Sequence, residues 1–275
     1  MKMLQHKLAS HSGALGLHGR HALRTKNSLS EVFHENTKLG RWSARAAAIW
    51  TFTYTRSRAY KETIQHEYKT YTLMERLPLP EVAPRSDLER TIAARRSTRT
   101  FSGAPLALDE LARLLRFSYG RTDERGQFRA VASGGALYPL ELYVLAFKVD
   151  GLDPGVYHYG VETAHLDLVT PGDCLPTAKD AIYWQGVDID RAAAAIVITA
   201  IFYRSTIKYL DRGYRMVLME AGEAAQNLGL MASSLQLGAC LVGGFHDDRL
   251  SALLDIDGVE EAPLLPIILG RPGFE

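Results

Sequence analysis

Ala193-Ala-Ala-Ile-Val-Ile-Thr-Ala-Ile-Phe202 is apolar at nearly every position and lacks the three-to-four-residue spacing of an amphipathic helix. Its length and its Ile and Val content predict a buried strand. The chain from Tyr203 to Gln236 reads instead as one long helical stretch with a break between Lys208 and Gly213. Small residues at Ala221, Gly222, Ala224, Ala225 and Gly229 suit close packing against another helix. Two placements are open for that helix: core alone, or core together with a dimer interface.

Moving upstream, Leu140 to Val149 predicts a strand, and Val156–Tyr159 and His165–Val169 predict a pair of short strands joined at a turn containing Gly160. Asp109 to Phe117 has Leu111, Leu114 and Leu115 on one helical face. Ser86-Asp87-Leu88-Glu89 has the capping-box form, which starts a helix with Leu88 and Ile92 as its apolar positions. Downstream, Ala239 to Gly244 predicts a strand and Asp247 opens a helix carrying Leu250, Leu253 and Leu254. Leu264 to Leu269 predicts a last strand. Hairpin-like neighbours among interleaved strands and helices point to an α+β fold, a layered sheet with helices on both faces, rather than a doubly wound parallel one.

Leu77-Pro78-Leu79-Pro80 and Pro84 mark a linker, so residues 86–275 form the main domain and 31–85 an aromatic-rich extension. That extension carries Trp42, Trp50, Phe52, Tyr54, Tyr60, Tyr68 and Tyr71, a density that predicts packing on a larger body. Residues 1–30 have Lys2, Lys7, Arg20, Arg24 and Lys26 with no acidic residue before Glu31, and no continuous apolar core of a secretory signal. They predict a mobile basic arm.

The 32 basic residues are balanced by 31 acidic ones, which excludes a surface built throughout for nucleic acid. No apolar run reaches membrane-spanning length, so no membrane partner is expected. Cys174 and Cys240 fit neither a disulfide framework nor a metal motif, and a reducing cytoplasm is the expected compartment. The nine histidines form no His-x-x-x-His or His-Glu-x-x-His pattern, so no catalytic metal is expected. No Gly-rich dinucleotide or Walker-type phosphate motif is present.

Two stretches carry candidate chemistry. Arg95-Arg96-Ser97-Thr98-Arg99-Thr100-Phe101 combines three guanidinium groups with hydroxyls, the equipment for a phosphate and an attached polyol. An Arg-rich helix end on a solvated surface has the same composition. Ser133-Gly134-Gly135 lets backbone approach a flat ligand, or makes an ordinary turn before the strand at Leu140.

Taken in order, RRSTRTF (95–101), SGGALYPLELYV (133–144), KYLDRGYR (208–215), EAGEAAQNLGLMASSLQLGACLVGGF (220–245) and LGRP (269–272) resemble the nitroreductase-like flavoproteins. The resemblance is to the SagB-type branch, the azoline dehydrogenases of thiazole/oxazole-modified peptide biosynthesis, and spans about residues 86 to 272, with a weaker echo at 33–39. It implies a nitroreductase-like α+β fold, a mixed and mainly antiparallel sheet flanked by helices. It also implies FMN at a homodimer interface, lined by both subunits.

By the same resemblance, Arg95, Arg96, Ser97 and Arg99 match the segment that holds the FMN phosphate, ribityl chain and pyrimidine edge. Ser133, Gly134 and Gly135 match the segment that reaches the isoalloxazine. Gly243 and Gly244 match the turn whose amide points at flavin N5, and Arg271 a phosphate contact. Lys208 and Tyr209 match a pair implicated in catalysis. Azoline oxidation removes a proton as well as a hydride, so a base is needed beside the flavin, with Arg212 and Arg215 nearby in sequence. Without that context a Lys-Tyr pair is an exposed helix start.

The implied substrate is a heterocyclised peptide, or a carrier-bound equivalent, with a cyclase as possible partner. Two alternatives stay open: an NAD(P)H-dependent nitro or quinone reductase on this fold, and a flavin-binding scaffold that joins a cyclase to its peptide through the first 85 residues.

Overall fold

The run around Ile196 forms the central strand of an antiparallel sheet. The computed structural model describes residues 28–40, 68–183 and 186–273, with Ser43, Ile49, Thr53, Ser57 and Tyr60 as single positions. The chain divides into two units, Met1–Thr37 and Lys38–Glu275. In the first, helix α1 (Leu29–Thr37) starts where Glu31 N donates to Ser28 Oγ at 3.2 Å.

The second unit contains α2 (Asp87–Ala94), β1 (Leu106–Ala107), α3 (Leu108–Tyr119), β2 (Leu140–Ala146), β3 (Val149–Asp150), β4 (Gly155–Gly160) and β5 (His165–Pro171). It continues with α4 (Leu175–Ala181), β6 (Ala194–Ile201), α5 (Tyr203–Tyr209), α6 (Asp211–Ser234), β7 (Gly238–Leu241), α7 (Asp247–Leu253) and β8 (Glu261–Gly270). Six strands pair in the order β5-β4-β2-β6-β8-β7, every neighbour antiparallel. β1 and β3 form a separate two-residue parallel pair.

The missing helical periodicity of β6 has a simple cause: both its faces are covered. Ala194, Ile196, Ile198 and Ala200 join a core with Leu111 and Leu114 of α3 and Val217, Ala224 and Leu228 of α6. Ala195 and Val197 point the other way, into a second core with Ala178 of α4 and Leu250 of α7. Alternation along a strand sends successive side chains to opposite layers, so an all-apolar strand is what a three-layer sandwich requires.

The predicted break in the long helix is real. Leu210 takes φ 50° and ψ −142°, outside helical space, and separates α5 from α6. A Cβ on Gly213 would lie 2.8 Å from the Ser205 carbonyl, so glycine lets the first turn of α6 press on the backbone of α5. The capping box at Ser86 is also present: Glu89 N donates to Ser86 Oγ and Ser86 N to Glu89 Oε2.

Two expectations need correction. The strand from Leu140 ends at Ala146 because Phe147 N and Lys148 N both turn to the Ala193 carbonyl. The strand expected over Ala239–Gly244 spans Gly238–Leu241, after which the two glycines leave the ladder. Leu88 and Ile92 are exposed, and α2 buries no residue. Of the aromatic extension, Trp42, Trp50, Phe52 and Tyr54 lie outside the described residues, as does the basic arm up to residue 27. Tyr68 and Tyr71 are exposed. Cys174 and Cys240 are both buried and free. No described helix is long and apolar enough to cross a membrane.

One end of the second layer is polar. His158 Nε2 lies 2.9 Å from Glu141 Oε2, and Arg204 holds the other oxygen of that carboxylate at 2.5 Å. Burial works against the imidazolium, but the hydrogen bond and charge of Glu141 outweigh it and raise the His158 pKa. A raised folded-state value stabilises fully below the unfolded value of about 6.5 and is lost as pH rises through the folded value. Unfolding free energy measured by urea titration is therefore expected to fall as pH is raised through that window. His158→Gln should flatten this dependence, and an unchanged slope in the variant would assign it to other groups.

Candidate functional site

Two clusters of the sequence-derived residues form, one near each end of α6. At the first, the loop from Ser133 to Tyr138 lies against the end of α5. A Cβ on Gly135 would fall 2.6 Å from Tyr209 Oη and 2.7 Å from Lys208 Nζ, and Gly135 has φ +71°. A Cβ on Gly134 would meet Met216 Sδ of α6 at 3.0 Å. Gly135 thus allows the close approach, and the loop bends further through Ala136 (φ 55°) and Tyr138 (φ 44°). This fold brings the Ser-Gly-Gly segment and the Lys-Tyr pair together across more than seventy residues of sequence. Lys208 is exposed and Tyr209 half-buried, with the ammonium 5.1 Å from the tyrosine ring centroid.

The second cluster surrounds Arg95. After α2 ends, the chain runs extended beside β7, where Ser97 pairs in parallel with Ala239 and Thr98 N donates to Ala239 O at 3.0 Å. Phe101 pairs with Pro272, and Ser102 N donates to Arg271 O. The buried Phe101 ring anchors this segment, close to Gly238 and Gly270. The Arg95 side chain packs toward Gly229 of α6. The side chains of Arg95 and Arg99 make no hydrogen bond or ion pair with the described residues, although the backbones of both are bonded.

Arg96 and Arg271 are committed elsewhere. Arg96 Nη1 donates to the carbonyls of Ala93 and Arg95 at 2.8 Å, satisfying the C-terminus of its own helix. Arg271 Nη2 donates to Glu110 Oε2 at 2.9 Å. Beyond β7, Gly244 O accepts from Tyr183 N at 3.2 Å, while a Cβ on Gly243 would meet nothing within 4 Å. Gly243 therefore faces open space.

Three residues absent from the sequence-derived site tie the first cluster down. Glu220 of α6, 3% exposed, accepts from Ser133 Oγ at 2.6 Å and from Tyr119 Oη at 2.8 Å. Burial pushes its carboxyl pKa up, against the opposing hydrogen bonds and the positive charge of Arg129. Arg204 Nη1 donates to Tyr138 O at 3.2 Å, one helical turn before Lys208. The signal for Glu220 was available: it falls in the buried stripe Gly213, Val217, Ala221, Ala224, Leu228, where an acid requires partners.

The sequence model of the Nitroreductase family matches residues 92–271. The Methanocaldococcus jannaschii protein MJ1384, named as a candidate nitroreductase, is 41% identical over 67% of this chain and 90% of its own. The microcin B17-processing protein McbC of Escherichia coli is 28% identical over 60% of this chain and 62% of its own. A chain of the E. coli microcin synthetase McbBCD complex with truncated pro-MccB17 bound shares the fold. Its TM-score is 0.61 at 23% identity, covering 87% of this chain and all of that one.

Gly135→Ala tests the close approach directly. The methyl group must displace Lys208 and Tyr209, and alanine at positive φ costs about 1–2 kcal/mol. The variant is expected to fold with a somewhat lower melting temperature and to lose most turnover. Wild-type turnover would show that the contact with Lys208 and Tyr209 is dispensable.

Proposed function

The chain belongs to the nitroreductase family, and we propose that it is an FMN-dependent dehydrogenase that oxidises thiazoline or oxazoline rings, in a peptide or carrier-bound substrate, to thiazole or oxazole. The observation that carries this reading is the approach of Lys208 Nζ and Tyr209 Oη to the backbone at Gly135. A base and a phenol beside a side-chain-free stretch of backbone suit proton removal next to a flat ring.

The chain's residues fit FMN in chemistry. Arg95 and Arg99 offer guanidinium forks without competing partners among the described residues, matched to a phosphate. Gly134 and Gly135 present bare backbone, and Gly243 faces open space. Ser133 contributes backbone only, because its hydroxyl is held by Glu220. When bound, FMN supplies a two-electron acceptor for the hydride that leaves the ring. Lys208 takes the accompanying proton and Tyr209 orients or relays it. Because Lys208 is exposed, bound substrate must exclude water around it.

The arrangement of the clusters supports a homodimer. Met216 and Gly229 mark the two clusters, thirteen residues apart on α6 or about 20 Å along its axis. Gly222 lies midway, exposed, with Leu218 and Met219 exposed beside it. Two antiparallel copies crossing at Gly222 would bring the arginines of one to the Lys208 cluster of the other. A cyclase partner and a peptide substrate are proposed by analogy with the McbBCD complex, which holds pro-MccB17. Leu73, Leu77, Leu79 and Val82, each more than four-fifths exposed, offer apolar surface for such a partner.

The purified protein is expected to be yellow and to release FMN on denaturation, and a colourless protein that takes up no added FMN would overturn the cofactor. Lys208→Ala should lower azole formation by on the order of a hundredfold with FMN content unchanged. Fast NADPH-driven turnover of small nitroaromatics, indifferent to Lys208→Ala, would instead mark a general reductase. Intact product formation in both Lys208→Ala and Tyr209→Phe, lost on removing the first 85 residues, would mark a scaffold. Gly222→Trp should give monomers with little FMN on analytical ultracentrifugation, and a flavin-loaded dimer would refute the crossing at Gly222.

A further inference from the structure

We propose that Glu220 is a positioning residue for this site, holding through Ser133 the loop that presents Gly135 to Lys208 and Tyr209. The proposal rests on the functional reading above and adds a residue which that reading does not use. It starts from the direction of each hydrogen bond around the carboxylate. Ser133 Oγ accepts from Tyr138 N at 2.9 Å, so its single proton is free for Glu220 Oε2 at 2.6 Å. Tyr119 Oη accepts from Leu140 N at 3.1 Å, and its proton goes to Glu220 Oε1 at 2.8 Å. Each hydroxyl thus accepts from one backbone amide and spends its proton on one oxygen of Glu220. In this arrangement Ser133 and Tyr119 both donate, and the two carboxyl oxygens of Glu220 receive one hydroxyl each.

The loop needs this tie. Ala136 and Tyr138 have positive φ, a conformation unfavourable for residues with a Cβ. The loop lies outside the strand ladders. Its fixed points are the Ser133 hydroxyl, the Ala136 N to Ser133 O bond, and contacts at Tyr138. Of these, the Ser133 hydroxyl links the loop to a buried group on α6, the helix that also backs Gly134 through Met216. Loosening that link moves Gly135 relative to Lys208 and Tyr209 without touching either.

The test is Glu220→Gln in the full chain, read by amide hydrogen exchange, by kcat and KM separately, and by melting temperature. Gln keeps the shape but leaves only one acceptor oxygen for the two hydroxyl protons, so one of the two bonds is lost or reversed. Losing a charged hydrogen bond should speed exchange of the 133–138 amides about tenfold or more and lower kcat about tenfold, with KM within about twofold. Exchange in β6 should be unchanged.

Unaltered loop exchange would overturn the proposal. Uniformly faster exchange that includes β6, with a large loss of melting temperature and parallel changes in kcat and KM, would also overturn it, by making Glu220 merely structural. Should Glu220→Gln not fold, Ser133→Ala removes the same bond from the loop side and is judged by the same exchange pattern. Exchange needs no cofactor, so a chain that binds no FMN refutes the functional reading while the loop result separately judges the tie.

Discussion

Burial of the small-residue face of α6 is the constraint on which the rest of the structure depends. Val217, Ala221, Ala224, Ala225, Leu228 and Ala232 let this helix lie close over the sheet and α3, with little side-chain bulk between backbones. Because the face runs the length of the helix, both ends of α6 are fixed relative to the sheet. One end then backs the Ser133 loop at Met216, and the other receives Arg95 at Gly229. A shift of the helix by one turn would separate both pairs at once, so a core interaction sets the register of both site clusters.

Glycine has different work to do at each site segment. At Gly135 a Cβ would push aside the ends of Lys208 and Tyr209 and the backbone is left-handed as well, while at Gly134 it would press on the Met216 sulfur. At Gly243 there is ample room, so steric exclusion by this chain does not explain the residue. Under the proposed reading, a ligand that approaches the backbone there supplies the missing reason. The same contrast applies to the cations. The Arg96 and Arg271 guanidinium groups have partners within the chain, whereas those of Arg95 and Arg99 have no hydrogen bond or ion pair with the described residues. Under the proposed reading, Arg95 and Arg99 are the two left available to an anion.

This explains what could be read from the chain beforehand. β6, the capping box at Ser86 and the break before Gly213 were legible because each depends on side chains within a few residues of one another. The end of β2 was not, since it depends on Phe147 and Lys148 turning to the carbonyl of Ala193, far away in sequence. The site motifs were likewise recognisable singly, while their assignment to two clusters is set by tertiary packing. Glu220 stands in a helix full of small residues, and only its phase along the buried stripe marks it as buried. Leu88 and Ile92 keep the spacing of a buried face, yet α2 buries neither. Periodicity reports that a face is apolar and is silent on whether this chain or another covers it.

That last point bears on chemistry. The first cluster orients its groups well: Gly135 is fixed by contact, Ser133 by a buried carboxylate, and Tyr138 by Arg204. It does not desolvate them, for Lys208 remains exposed. Orientation and water exclusion are separate requirements of a proton transfer, and here a single chain meets only the first. Under the proposed reading, substrate and a second copy of the chain supply the other. On that proposed reading, a pair that stays hydrated until both are in place suits a large, specifically docked ring-bearing chain better than a stray small molecule.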